Sequence, residues 1–296
     1  VPKFSLLEDK LGFTLIRNLL EGYCLGNPGK ELIAQVNFST DFNSIEQELT
    51  LNDEFRTMMI TTPGFPSEEY SDLRPELLRI RIPGTFLPVE SMMLLKLSYF
   101  FYTDIISFIH ALPQDSFNKL YELTNGFYPD IQVTSEINRI LDEKGDIRDN
   151  ASPALHKIRK DISSQLAMVD KRIASMLTQA KIQKWVNPDV EIALRNGRLV
   201  IPVPASNKRK LKGVIHDESA TGQTVFIEPT EVFELNNEIR ELELAEKREI
   251  IKILTQFADF IRPRLEDLSG IYELLGRIDF LRAKTLFALS IGASKP

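Results

Sequence analysis

The sequence predicts a mainly α-helical protein with a small β insertion: a helical core, two long antiparallel helices and a small antiparallel sheet at their tip. Three observations carry this. Two apolar stripes of helical spacing, over 155–180 and 235–260, run far longer than an ordinary globular helix. Between them, residues 189–228 switch to alternating β-type patterning around an Asn196-Gly197 turn. The chain before them, by contrast, reads as short helices joined by Pro/Gly loops.

Residues 1–150 form the predicted helical core. Phe13, Ile16, Leu19 and Leu20 recur at helical spacing, and Asn27-Pro28 reads as an N-cap and a first-turn proline opening a helix through Gln35. A third helix is expected from near Asp41, with Ile45, Leu49 and Met59 inward. Thr61–Pro88 reads as loop with short helical turns, and Val89–Ala111 as an aromatic-rich helix whose Phe100, Phe101 and Phe108 belong to the core.

Ser152-Pro153 is a helix-start signal that opens the first long helix, assigned to 151–187. Leu155, Ile158, Ile162, Leu166, Val169, Ile173, Leu177 and Ala180 form one narrow stripe, with no breaker before Asn187-Pro188. A helix near 30 residues would be roughly 45–50 Å long. Its narrow stripe suits packing against a similar rod. The β insertion is assigned to 188–229: Val190–Leu194, Leu199–Val203, Gly213–His216 and Gln223–Ile227 are the expected strands. Pro202 and Pro204 imply that the second strand lies at an edge or ends there. Leu235, Ile239, Leu242, Ala245, Ile250, Ile253, Phe257 and Phe260 give the second long helix, 230–262. A final helix over 263–296, with Leu265, Leu268, Leu275, Ile278 and Leu281 inward, is expected to return to the core.

Composition removes several function classes. An apolar share of 43% and a charged share of 26% are those of a folded soluble chain, and no apolar run approaches the roughly 20 residues of a bilayer span. No membrane partner and no secretory signal are expected. The lone Cys24 excludes an internal disulfide framework and fits a reducing, cytoplasmic compartment. His110, His156 and His216 are too scattered for a Cys/His metal site. Net charge is −6, so contact with phosphates has to come from a local basic patch.

Two stretches imitate catalytic motifs. Gly26-Asn27-Pro28-Gly29-Lys30 has its glycines too close, and Glu31 follows the lysine, so it lacks the spacing of a phosphate-binding loop. His216, Asp217 and Ser219 are neighbours in sequence, which does not supply the geometry of a triad; hydrogen bonding within a turn is the expected role. Glu238–Glu249 interleaves with Arg240, Lys247 and Arg248 as a solvated helix face does. No catalytic residue, metal site or ATP site is therefore assigned, and the chain is expected to be no enzyme by itself.

The segment from Arg195 to His216 is different. It holds Arg195, Arg198, Lys208, Arg209, Lys210 and Lys212 with no Asp or Glu among them. Cations of this density release the counterions condensed on nucleic acid. Asn196, Ser206 and Asn207 could add hydrogen bonds that position the backbone without reading sequence. The candidate nucleic-acid-binding residues are Arg195, Asn196, Arg198, Lys208, Arg209, Lys210 and Lys212.

Three stretches resemble the second bacterial MutS subfamily, paralogues of the mismatch-repair ATPase that lack its mismatch-reading domains. They are Gly145–Pro153 (GDIRDNASP), Leu194–Val203 (LRNGRLVIPV), and Gly213–Pro229 (GVIHDESATGQTVFIEP) followed by Glu234–Glu238 (ELNNE). Weaker likeness lies in Asp72-Leu73-Arg74-Pro75 and Gly29-Lys30-Glu31-Leu32. The resemblance implies core, lever and clamp regions, with an ATPase expected beyond Pro296 and a small nuclease-like domain further on. ATP and Mg would belong to that absent motor, with no cofactor in this stretch. It also implies DNA, including branched DNA, as partner in recombination control or repair. The alternative is a ribosome- or protein-gripping arm acting on collided ribosomes. Dimer contacts of that subfamily lie largely in the ATPase, which implies a monomeric fragment of a homodimeric parent.

Overall fold

The computed structural model describes residues 8–296. The chain forms two compact units: residues up to Ile147 together with Leu254–Pro296, and Arg148–Ile253.

The first unit is helical. Its elements are α1 (Phe13–Glu21), α2 (Asn27–Gln35), α3 (Phe42–Thr61), α4 (Arg74–Arg79), α5 (Val89–His110), α6 (Asn118–Thr124), α7 (Ile131–Ile140) and α10 (Leu265–Ser290). The end of a preceding long helix, from Leu254 to Ile261, also belongs to it. In α10 the inward positions Leu265, Leu268, Leu275, Ile278 and Leu281 are all buried. In α5, Met92, Leu95, Tyr99, Tyr102, Ile105, Ile106 and Ile109 are buried, as is Phe101, while Phe100 and Phe108 are half-buried. Contrary to expectation, α5 is long and apolar enough to cross a membrane by length and composition. Its apolarity is accounted for by burial among the unit's own helices, and its one deep cation, Lys96, donates to the Asp142 carbonyl at 2.9 Å.

Two local expectations need correction. The inward face of α3 is Leu51, Phe55 and Met58, whereas Ile45 is exposed and Leu49 and Met59 are half-buried. Here charged and polar residues crowd the helix so evenly that its apolar positions suggest more than one face. In α1, Leu20 is buried but Leu19 is exposed.

The N-cap of α2 is Gly26, not Asn27, and no side chain of its own caps the helix. The backbone N–H groups of Leu25 and Gly26 instead donate to the buried Asp279 carboxylate of α10, at 2.9 and 3.0 Å. The close approach of α2 to α10 requires two glycines. A Cβ on Gly29 would lie 2.4 Å from Asp279 Oδ2, and one on Gly276 would lie 2.8 Å from the Pro28 Cβ. A Cβ on Gly26 would likewise lie 2.6 Å from the Tyr70 ring, so both glycines that imitate a phosphate-binding loop are packing residues. Gly276→Ala is expected to destabilise this unit by about 1–3 kcal/mol through overpacking, read as a lower thermal midpoint. Nearby, Arg74 binds both Asp72 and Glu31 at 2.7 Å, joining the two weaker stretches of family likeness.

The second unit contains α8 (Pro153–Ile182), a sheet of β1 (Ala193–Arg195), β2 (Arg198–Pro204), β3 (Gly213–Glu218) and β4 (Thr224–Pro229), and most of α9 (Thr230–Ile261). Ser152 caps α8 by accepting from the Leu155 N–H at 3.0 Å, with Pro153 in the first turn. The helix stops at Ile182, five residues before the expected end, because Lys184 adopts φ 55° and the Trp185 N–H returns to the Ala180 carbonyl.

The two long helices run antiparallel. Ser152 bonds Glu249, Arg159 bonds Glu246, Gln165 bonds Glu238 and Arg172 pairs with Glu231. As one position rises, its partner falls, which only antiparallel helices produce. The helices of 30 and 32 residues give rods of about 45–48 Å. Towards the C-terminal end of α8, its Val169, Ile173 and Ala180 join Val232 and Ile239 of α9 and Ile201, Val203, Val225 and Ile227 of the sheet in one core. Farther down the stripe Ile158 and Ile162 are half-buried and Leu166 is exposed.

The sheet order is β1-β2-β4-β3, all antiparallel. Asn196 and Gly197, at φ 50° and 75°, make the left-handed two-residue turn that joins β1 and β2. The first strand is shorter than expected, beginning at Ala193. β2 is an inner strand, not an edge strand, but β1 accompanies it only to Val200. Pro202 and Pro204 therefore have a strand neighbour on one side alone, and the strand ends at Pro204, where a missing N–H costs nothing.

Candidate nucleic-acid interface

The seven residues singled out by charge and position separate into two sets. Arg195 lies over the Phe226 ring, its guanidinium carbon 4.2 Å from the centroid, and its Nε stands 3.3 Å from Asp217 Oδ2. Arg198 reaches the fully buried Glu228, 3.6 Å from Oε1. Asn196 donates its amide to the His216 carbonyl. Each of the three has a partner within the sheet, and the Arg195 side chain keeps 41% of its surface exposed.

Lys208, Arg209, Lys210 and Lys212 are all exposed and make no ion pair among the described residues. They occupy the connection from β2 to β3, whose backbone is anchored at several points. Asn207 donates its amide to the Trp185 carbonyl at 2.9 Å, Leu211 is buried in the unit's core, and the Lys212 carbonyl accepts from the Thr230 N–H. Gly213 packs so tightly that a Cβ there would lie 2.1 Å from the Glu228 carbonyl oxygen. Four cations are thereby held on a fixed backbone at the sheet end of the helix pair, with their side chains free. Ser206 is exposed beside them. Asn207→Ala is expected to speed amide exchange across 208–212 and to cost about 1 kcal/mol, since it removes one side-chain hydrogen bond that pins the loop.

Under the sheet lies a polar cluster that sequence reasoning missed. Glu228, fully buried on β4, accepts from Asn236 Nδ2 of α9 at 2.6 Å and faces His216 Nε2 of β3 at 2.6 Å, with Arg198 of β2 beyond. His216 reaches it because the β3–β4 register shifts between Ile215 and Asp217, a bulge centred on the histidine. The cluster also disposes of the triad imitation. His216 is bonded to Glu228, Asp217 lies by Arg195, and the Ser219 hydroxyl accepts from the Thr224 N–H to close a turn. The only local signal for the cluster was the Glu228-Pro229 pair, which reads equally well as a strand end. One more cation was missed: Lys184 is exposed in its left-handed turn, immediately before the Trp185 carbonyl that holds Asn207.

No group of three or more His, Cys, Asp or Glu side chains suited to a metal ion occurs among the described residues. No family model matches the chain. Comparison with curated proteins finds relatives named Endonuclease MutS2. That of Latilactobacillus sakei is 31% identical over 288 residues, covering 97% of this chain and 36% of the relative. That of Carboxydothermus hydrogenoformans is 32% identical over 298 residues with the same coverage, and that of Bacillus velezensis 28% identical over 292. The likeness is MutS2-like along nearly the whole chain, and the chain spans little more than a third of the length of these relatives.

Proposed function

We propose that the chain is the nucleic-acid-gripping core, lever and clamp part of a MutS-like ATPase, with the Lys208–Lys212 turn as a phosphate-binding surface that does not read sequence. The observation that carries this is the set of four unpaired, exposed cations on an anchored backbone, in a protein whose net charge is −6. Fixed backbone and free charged ends suit contacts to phosphates, which orient a duplex or a branched DNA but give no base discrimination. Arg195 and Arg198, already engaged by Asp217 and Glu228, serve the sheet and not the ligand. The motor that would drive opening and closing, with its ATP and Mg, belongs to the remainder of such a protein, as does any nuclease activity. The expected role is control of recombination or repair in the cytoplasm, with this part monomeric and the parent a homodimer.

Simultaneous Lys208→Ala, Arg209→Ala and Lys210→Ala substitution tests the reading by fluorescence anisotropy on duplex and four-way-junction DNA. Affinity should fall on both substrates alike. Unchanged affinity on both would remove the turn from the interface. A second reading, a ribosome-gripping arm, is favoured by exposed apolar side chains on the same sheet: Leu194, Val214 and Ile215. Co-sedimentation with collided ribosomes that survives the triple substitution and is lost with Leu194→Ser would select it.

A further inference from the structure

The first unit holds a cavity of about 420 Å³ between α5, the Gly126–Val133 segment and the start of α10. Aromatic groups make its wall. Tyr99 and Tyr102 meet edge to face with ring centroids 5.6 Å apart, and Phe127 and Tyr128 complete the lining. Three carboxylates stand around it, those of Asp130, Glu266 and Asp267. One is already neutralised: Arg264 Nε binds Asp130 at 3.0 Å, and the same guanidinium spends its other nitrogens on the Phe260 carbonyl and Gln132. Glu266 and Asp267 are exposed and make no ion pair among the described residues.

A position in the first turn of α10 suits both carboxylates, because it complements the helix dipole. That does not account for the phenol beside them. Tyr102 is 1% exposed and lines the cavity, yet its hydroxyl has no hydrogen-bond partner among the described residues. Tyr99, its neighbour, is fully occupied, donating to the Asp130 carbonyl and accepting from the Asp130 N–H. Burial, reinforced by the neighbouring Tyr99 and then by the Asp267 carboxylate, keeps the Tyr102 phenol well above its ordinary range, so the group is a neutral hydroxyl with free lone pairs. The oxygen opens onto the cavity and is free to accept from a donor that enters there.

We infer that this cavity receives the guanidinium group of an arginine side chain presented by a protein partner. A planar, weakly hydrated cation stacks on aromatic faces, donates to the Tyr102 oxygen and is balanced by Asp267. The exposed Tyr128 at the cavity gives the flanking peptide an apolar seat, which a free small cation would not use.

The test uses the 296-residue chain labelled with 15N-glycine, since Gly126 and Gly270 line the cavity among fourteen glycines. The probes are acetyl-Gly-Arg-Gly-amide and its isosteric neutral counterpart with citrulline. Saturable shifts of Gly126 and Gly270 are expected with the arginine peptide, and binding about tenfold weaker with citrulline. Capped arginine alone should bind less tightly than the peptide. Tyr102→Phe, which deletes only an unbonded hydroxyl and should leave the fold intact, is expected to weaken the arginine peptide about fivefold, as is Asp267→Asn. Equal response to arginine and citrulline, no shift with either, or full binding by both variants would overturn the assignment.

Discussion

Glu228→Ala is expected to destabilise the second unit by about 3–5 kcal/mol, the range seen when one partner of a buried charge cluster is removed. The side chain is 0% exposed and ties together three elements besides its own strand: His216 of β3, Arg198 of β2 and Asn236 of α9. Truncation would leave an imidazole, a guanidinium and an amide facing one another without the carboxylate that joins them. The effect can be read locally, because the chain has one tryptophan, Trp185, and it packs against this unit's core. In a urea titration followed by Trp185 fluorescence, the midpoint should fall by about 1–3 M with little change in slope. A loss under about 1 kcal/mol would mean that the cluster contributes little, as exposed ion pairs do.

Asp279→Ala should have the largest effect in the first unit. Its carboxylate, 3% exposed, is the acceptor for the Leu25 and Gly26 N–H groups at the start of α2. Without it, the buried Gly26 N–H and the half-buried Leu25 N–H lose their acceptor, at about 1–3 kcal/mol for the buried one and less for the other. Their amide exchange should accelerate, and α2 should loosen from α10. The same carboxyl also has a pH signature. Burial raises its pKa, opposed by the Leu25 and Gly26 N–H groups and by Arg282, so the folded state holds the proton to higher pH than the unfolded state does. Over the interval from the ordinary carboxylate range up to the raised value, the folded state binds more protons, and this contribution to stability declines as pH rises. The stability difference between Asp279→Asn and the parent should therefore change across that interval. A pH-independent difference would contradict the raised pKa.

Much of the architecture was legible because it rests on short-range chemistry. Ser152-Pro153 starts α8 by the backbone geometry of two adjacent residues, and Asn196-Gly197 turns the hairpin because both adopt positive φ. The long stripes needed only periodicity. The site was less legible, because charge in a sequence does not reveal which charges are consumed. Arg195 and Arg198 look the same as Lys208 and Lys210 in the sequence. They differ because the strand pairing delivers Asp217, Phe226 and Glu228 to the first two and nothing to the others. The cap of α2 was unreadable for a similar reason: its acceptor lies more than 250 residues away, while the adjacent Asn27 offers a plausible but unused side chain.

The most direct test of the central claim is the salt dependence of DNA binding, compared between the free and the engaged cations. Log affinity against log salt has a slope of about 0.9 per phosphate contact. Joint alanine substitution of Lys208, Arg209 and Lys210 should reduce that slope by about 2–3, with no change in preference among DNA sequences. Arg195→Gln, by contrast, should leave the slope unchanged. An undiminished slope in the triple variant, or an equal reduction from Arg195→Gln, would contradict the account.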